Sequence, residues 1–474
     1  MLPQQSLGLS DDNYLYDDAQ SAYSGTEPGS PVSLNSVDNL QYIESKIDRK
    51  DEIKKANLFM TTFNVVNSII GSGIIGMPYA LRGAGIGMGL ILLVTVSIVT
   101  DYSLNLLILG GFMSNTNNYQ DLVRNVYGRV GFLILTVMQG TYPFIAMISY
   151  NVIIGDTVTR LAKRIGDLSD DSIFTDRKLI VFICTLFFTF PLSLYRQIAS
   201  LTKISVASTT IIILIIGTMA IRGPSYIIIY SRNDWNFINY RIPQAIAIMA
   251  FAFMCQHNSF LCYQSLKKKS TDRWGVVVHI AVSFSFMASG LFGIIGYSTF
   301  TGYTQGDVLE NYCFKDDLIN VSRLLFAITI IFTYPVECFV AREVIENSFF
   351  YKSKPVSKML HFFLTLIIVT AAMCISMTTN CVSIVLEING ILTAAPLAFI
   401  IPPICILRLQ NEPILQLKNI PSLATLGLGV IVMVSGVIVV VMDLVGGVNC
   451  THGELLPYCR PITSNSSISN SKFS

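Results

Sequence analysis

The sequence predicts an all-α polytopic membrane protein of about eleven transmembrane helices. Three observations predict it. The chain is 52% hydrophobic and 13% charged, whereas soluble domains carry about 25% charged residues. Apolar runs of roughly 20 residues, enough to cross a bilayer, recur along most of its length. Two of those runs, five apart, are interrupted in their middle, where an ordinary membrane helix would be continuous.

Residues 1–56 are expected to form a disordered cytoplasmic tail. Asp11, Asp12, Asp17 and Asp18 accompany a Ser/Gly/Pro-rich stretch with little apolar content, which cannot offset its ordering entropy. The acidic, polar start predicts no cleavable signal peptide. Lys46, Arg49, Lys50, Lys54 and Lys55 then abut the first span, and the positive-inside rule puts that end in the cytoplasm. The transmembrane domain is expected over 57–445 and a short extracytoplasmic tail over 446–474.

The first span contains FNVVNSIIGSGIIGMPYA, Phe63 to Ala80. Gly71-Ser72-Gly73 interrupts it, each glycine costing up to about 1 kcal/mol against Ala inside a helix. Opened backbone at membrane depth needs protein or a wet cavity to satisfy it. The half-helix Phe59 to Ile70 would end in exposed carbonyls with partial negative charge. The half starting at Ile74 would offer N–H groups with partial positive charge. A cation and a carboxylate could each find a partner there. On this stretch alone, a continuous helix whose small residues admit a close neighbour is the alternative.

Hydropathy then places spans at about Gly85 to Phe112, Val130 to Leu161, Leu179 to Leu194, Leu201 to Ile221, Ile242 to Leu266 and Trp274 to Phe300. The remaining spans lie at about Leu318 to Ile345, Lys358 to Thr379, Val382 to Leu407 and Ile420 to Leu444. Ser114 to Arg129 reads as a polar loop. The sixth span is broken by Gln256-His257-Asn258. Paired broken spans in corresponding positions point to an inverted-repeat transporter with a midplane site. An odd span count puts the sequons at Asn320, Asn449 and Asn465 outside, where glycosylation occurs. Cys450 and Cys459 flank a polar segment and could close a small disulfide loop in an oxidising compartment. Cys313 is then odd, or pairs with one of them.

Several classes are excluded. Net charge is +2, with no basic stripe or base-stacking module for nucleic acid. No nucleophile–base pair, zinc spacing or phosphate loop stands in a convincing context, so an enzyme is not expected.

The chain resembles the sodium-coupled neutral amino-acid transporters of the amino acid/auxin permease group, nearest to the branch numbered ten and eleven. FNVVNSIIGSGIIGMPYA carries the resemblance, with TDYSLNLL, YNVIIGD, FPLSLYR, FAFMCQHNSFLCY and FIIPP in support. It covers about Phe59 to Leu444. The resemblance implies a leucine-transporter-like five-plus-five inverted repeat plus an eleventh helix, with helices 1 and 6 broken mid-membrane. It implies that Asn67 and Thr333 serve sodium, the coupled ion, with no other cofactor. Where that branch tends to have a second His, this chain has Gln256.

The residues support a site of their own. The Ile70 carbonyl and the hydroxyl of Thr333 suit a hard cation. Ser72, with the Gly71–Gly73 turn and the amides of Gly73 and Ile74, suits a carboxylate. Gln256 and His257 could meet the substrate amine or line the pathway, and a satisfied interior histidine is the competing reading of His257. Asp156, Glu337 and Glu387 are acids within or near the membrane and stand as proton-coupling candidates. The expected partners are a neutral L-amino acid, sodium and the lipid bilayer, and oligomeric state is open. The alternatives are proton coupling, or an amino-acid sensor signalling through the N-terminal tail. Plasma membrane and lysosomal or endosomal membrane both fit.

Overall fold

Asn, Asp or Ser side chains cap the starts of several helices. The computed structural model describes residues 56–166, 173–195, 201–230, 235–349, 357–379, 381–410, 412–446 and 459. Asn57 accepts from Met60 N at 2.9 Å to open α1, Leu58–Ile69. After the break come α2, Met77–Ala84, α3, Ile86–Met113, and α4, Tyr119–Gly166. Asp176 caps α5, Arg177–Cys184, which continues through a π-helical turn into α6, Phe190–Ser193. Then follow α7, Leu201–Tyr230, α8, Ile242–Ala252, and α9, Gln256–Ser265. Ser270 caps α10, Thr271–Phe300, and Asp307 caps the short α11, Val308–Asn311. The chain continues as α12, Asp317–Phe349, α13, Lys358–Ser376, α14, Val382–Asn389, α15, Ile401–Leu409, and α16, Ile420–Gly446.

Among the described residues nine helices are long and apolar enough to cross a membrane, or ten with the bent pair of the first span taken as one. The expected fourth span is the three-piece rod from α5 to α6, shorter than the rest. The expected loop Ser114 to Arg129 is mostly helical instead. Asn118 Oδ1 accepts from Asp121 N at 2.7 Å, and Tyr119, Leu122 and Val123 are buried. Gly128, at φ 66° and ψ −153°, turns the chain before the span proper, a conformation glycine adopts at little cost.

Burial ranks the helices. The sixth span, α8 and α9, is 94% buried across its apolar window, against 22% for the last helix. Every residue from Gln244 to Ala252 is buried, as expected of a helix apolar all round at the centre of its fold. α4 packs along α12, and α8 lies against α2 and α14. Backbone bonds Ala56 N to Ser265 O and Lys267 N to Ala56 O, both 2.9 Å, staple the start of the first span to the end of the sixth.

The tenth span carries Pro396, Pro402 and Pro403 and winds as π-helix over Gly390–Ala394 and Pro396–Ile400. Pro402 has no N–H for the Ala398 carbonyl four residues earlier; the Ser103 hydroxyl donates to that carbonyl instead. Tyr119 Oη donates to the neighbouring Leu397 carbonyl at 2.8 Å. Gly390 is required by proximity, because a Cβ there would lie 2.0 Å from the Ala247 carbonyl oxygen.

Two expectations are corrected. Cys459 is bonded to Cys313, 146 residues away in sequence, which is the alternative left open for Cys313, and not to Cys450, which lies outside the described residues. The segment between α10 and α12 brings Cys313 to it. Asn320 is 6% exposed, donates to Phe314 O at 2.7 Å and accepts from Arg323 Nη1 at 2.6 Å. A side-chain amide turned inward and bonded at both ends is not a glycan acceptor. Asn449 and Asn465, with nearly all of both expected tails, lie outside the described residues.

Candidate functional site

The first break opens at Ile70, whose N–H still reaches Val66 O at 2.7 Å while its own ψ has swung to 55°. Gly71, at φ −85° and ψ −143°, leaves the helix entirely. The chain re-enters as a 3₁₀ turn, Ser72–Gly76, that runs directly into α2, and the two halves of the span meet at 46°. Terminal carbonyls of α1 and leading amides of the second half have no partners within their own helices. Gly73 is needed for close approach: a Cβ there would sit 2.5 Å from Ala252 Cα. The first break is therefore pressed against the end of α8, immediately before the second break.

A hydroxyl cluster covers the first break. Tyr150 of α4 is buried, and its hydroxyl lies against Ser72 and Thr333. A Cβ added to Gly71 would be 3.4 Å from that same oxygen. Ser72 Oγ is 3.2 Å from Ser149 Oγ. Thr333 Oγ1 donates to the Thr329 carbonyl at 2.7 Å, which leaves its lone pairs to accept or to ligate. Thus Gly71 and Ser72 of the first break and Thr333 of α12, distant from them in sequence, meet around Tyr150. Asn67 is half-buried one turn before the break.

The second break lies between Phe253 and Cys255. Gln256 Oε1 accepts from Cys255 N at 3.1 Å, and its Nε2 donates to Ser103 Oγ at 3.4 Å. Gln256 is thus spent on holding the break. Asn258 Nδ2 donates to Ser68 Oγ at 3.3 Å, tying the second break to α1. The His257 ring lies 4.7 Å from that of Tyr142. His257 Nε2 is 3.9 Å from Glu337 Oε2, an ion-pair distance too long for a hydrogen bond. Both ring nitrogens and that carboxylate oxygen are buried with no hydrogen-bond partner.

Asp156 and Glu387 belong to other networks. Arg177 Nε contacts Asp156 Oδ1 at 2.5 Å, and Arg177 Nη1 donates to Thr379 O at 3.2 Å, clamping α4 and α5 to the end of α13. Gln244 Nε2 donates to Glu387 Oε2 at 2.8 Å, joining α8 to α14. Among the described residues no group of three or more His, Cys, Asp and Glu side chains could hold a metal ion. A cation at the break would rely on carbonyl and hydroxyl oxygens. Sequence reasoning missed Tyr150, whose only signal was its place at the head of YNVIIGD.

Two broken central spans, opposed backbone poles at the first break and hydroxyls gathered over it are the features of a membrane carrier. Its fold matches the crystal structure of MhsT in complex with L-phenylalanine at a TM-score of 0.51 and 12% identity, over 81% of this chain and 98% of that one. The chain belongs to the transmembrane amino acid transporter protein family, whose pattern matches residues 54–442. It is 44% identical over 450 residues to the "Putative sodium-coupled neutral amino acid transporter 11" of Bos taurus, covering 94% of this chain and 95% of that one. The human protein of the same name is 44% identical over 394 residues, covering 82% and 95%. Vacuolar amino acid transporter 2 of Saccharomyces cerevisiae is 29% identical, covering 86% and 88%.

Proposed function

We propose that this amino acid transporter is a sodium symporter of neutral L-amino acids, working by alternating access around the first break. The meeting of Gly71, Ser72 and Thr333 at Tyr150 is the observation that carries the reading, and the names of the relatives support it. Sodium would be held by carbonyls ending α1, Ile70 among them, with Thr333 Oγ1 and Asn67 nearby. The substrate carboxylate would take the amides of Gly73 and Ile74 and the hydroxyls of Ser72 and Tyr150. Sodium fixing the opened backbone completes the carboxylate site, and that is the coupling. Alternation is then a rocking of one set of helices against the rest. Among the described residues no lysine or arginine pairs with this pocket, so net neutral zwitterions suit it best.

A second reading, proton coupling, draws on the His257–Glu337 pair beside the second break. Uptake of a labelled amino-acid panel into proteoliposomes, at fixed pH with sodium or choline outside, tests both. Sodium-dependent accumulation of neutral substrates is expected. Equal uptake in choline discards sodium coupling and leaves the proton reading.

A further inference from the structure

The segment between α10 and α12 covers the first break. α11 packs on the Ser72–Gly76 turn, Arg82 Nη1 donates to Thr304 O at 2.7 Å, and a Cβ on Gly306 would lie 2.8 Å from Ser383 Cβ. Arg323 of α12 holds it from below, Nη2 donating to Leu309 O and Tyr312 O, both at 2.6 Å. Three carboxylates converge under this cover. Glu310 Oε1 is 3.3 Å from Arg160 Nε, and Asp156 is paired with Arg177. Among the described residues no guanidinium pairs with Asp307. Its Oδ1 caps Leu309 N at 2.9 Å, whereas Oδ2 is buried with no hydrogen-bond partner, as is Arg323 Nε. Asp307 is 3% exposed.

A buried carboxylate oxygen without a donor is costly when ionised, and two acids already stand beside it. We propose that Asp307 is a proton-operated latch: carrying a proton it lets the cover stay seated over the substrate site, and losing that proton to solvent it loosens the cover. The groups facing it are Glu310 on its own segment, Asp156 and Arg160 on α4, and Arg323 on α12, with Arg177 of α5 behind Asp156. Burial first, then Glu310 and Asp156, push the Asp307 carboxyl up to about 8 from an ordinary value of 3.8. A raised folded value means the seated state gains its full advantage below the ordinary value. That advantage is lost as pH rises through about 8. The inference rests on Ser72–Gly76 being the substrate site, but its test does not require transport.

Hydrogen–deuterium exchange of the purified full chain, followed in peptides spanning 305–313 from pH 6 to 10, reads the latch directly. Protection corrected for intrinsic exchange should fall about tenfold per pH unit from pH 6 to about 8 and level off above it, the slope of a single proton held more tightly in the seated state. Asp307→Asn keeps the cap and mimics the protonated acid, so its protection should stay high and flat. Glu310→Gln should lower the pH at which protection levels off by removing a like charge, and it serves as the second variant if Asp307→Asn does not fold. Wild-type protection without a pH step, or a step unchanged in both variants, overturns the proposal. Loss of uptake with the exchange step intact overturns the functional reading alone.

Discussion

Gly73→Ala tests how tightly the two breaks are pressed together. The added Cβ would meet Ala252 Cα at 2.5 Å, Ala252 Cβ at 2.6 Å and Ala252 N at 3.2 Å. The obstacle is backbone and a methyl group, with no flexible tip to move aside. Ordinary carbon contact lies near 3.5–4.0 Å, so the first break must move away from α8 by about 1 Å. Overpacking of this kind costs about 1–3 kcal/mol. If that cost falls on the closed, substrate-holding geometry, uptake drops roughly 5- to 150-fold, since 1.36 kcal/mol is tenfold. Sodium-driven uptake normalised to membrane expression measures it, with thermal unfolding of the purified variant alongside. Gly217→Ala and Gly427→Ala, which have nothing within 4 Å of the new Cβ, should leave uptake unchanged. A Gly73→Ala protein with wild-type uptake and wild-type Tm would refute the close-packed break.

Thr333→Val removes a hydroxyl that keeps free lone pairs, and contacts to charged groups contribute about 1.5–3 kcal/mol. Half-maximal sodium should rise roughly 10-fold or more, while Thr333→Ser stays near wild type; a sodium titration of uptake measures both. Asp156→Asn breaks a buried ion pair, which costs about 3–5 kcal/mol. It should lower Tm and yield while leaving the sodium requirement of the surviving protein unchanged. Cys313→Ser, which opens the bond to Cys459, should lower Tm by an amount equivalent to about 2–5 kcal/mol, and reducing agent should do the same to wild type. Deleting residues 1–45 should preserve flux if the chain transports, whereas a sensor acting through its tail would lose its output.

The breaks were legible because each is written in residues that oppose a membrane helix. Gly71-Ser72-Gly73 removes Cβ atoms and helix propensity together, and Gln256-His257-Asn258 sets three polar side chains inside an apolar run, although the chain opens just before them, between Phe253 and Cys255. Tyr150 was not legible, because a tyrosine inside an apolar helix reads as packing until the fold shows which side chains meet its hydroxyl. Asp156 read as a proton site because sequence cannot show that Arg177, 21 residues further on, meets it. Cys313 and Cys459 are 146 residues apart, and no local spacing announces such a pair. Asn320 fits the glycosylation pattern by spelling, but burial and two hydrogen bonds withdraw it. Local chemistry is visible along the chain, whereas partnerships between distant helices become visible only in three dimensions.

In the proposed mechanism an ion that orders the opened backbone makes the place where the amino acid binds. Equilibrium binding of a labelled neutral amino acid to the purified protein, with sodium titrated against choline at fixed pH, measures it most directly. Sodium should tighten amino-acid binding, and the amino acid should tighten sodium binding by the same factor, with Thr333→Val removing both effects. Binding that is equally tight in choline would contradict it.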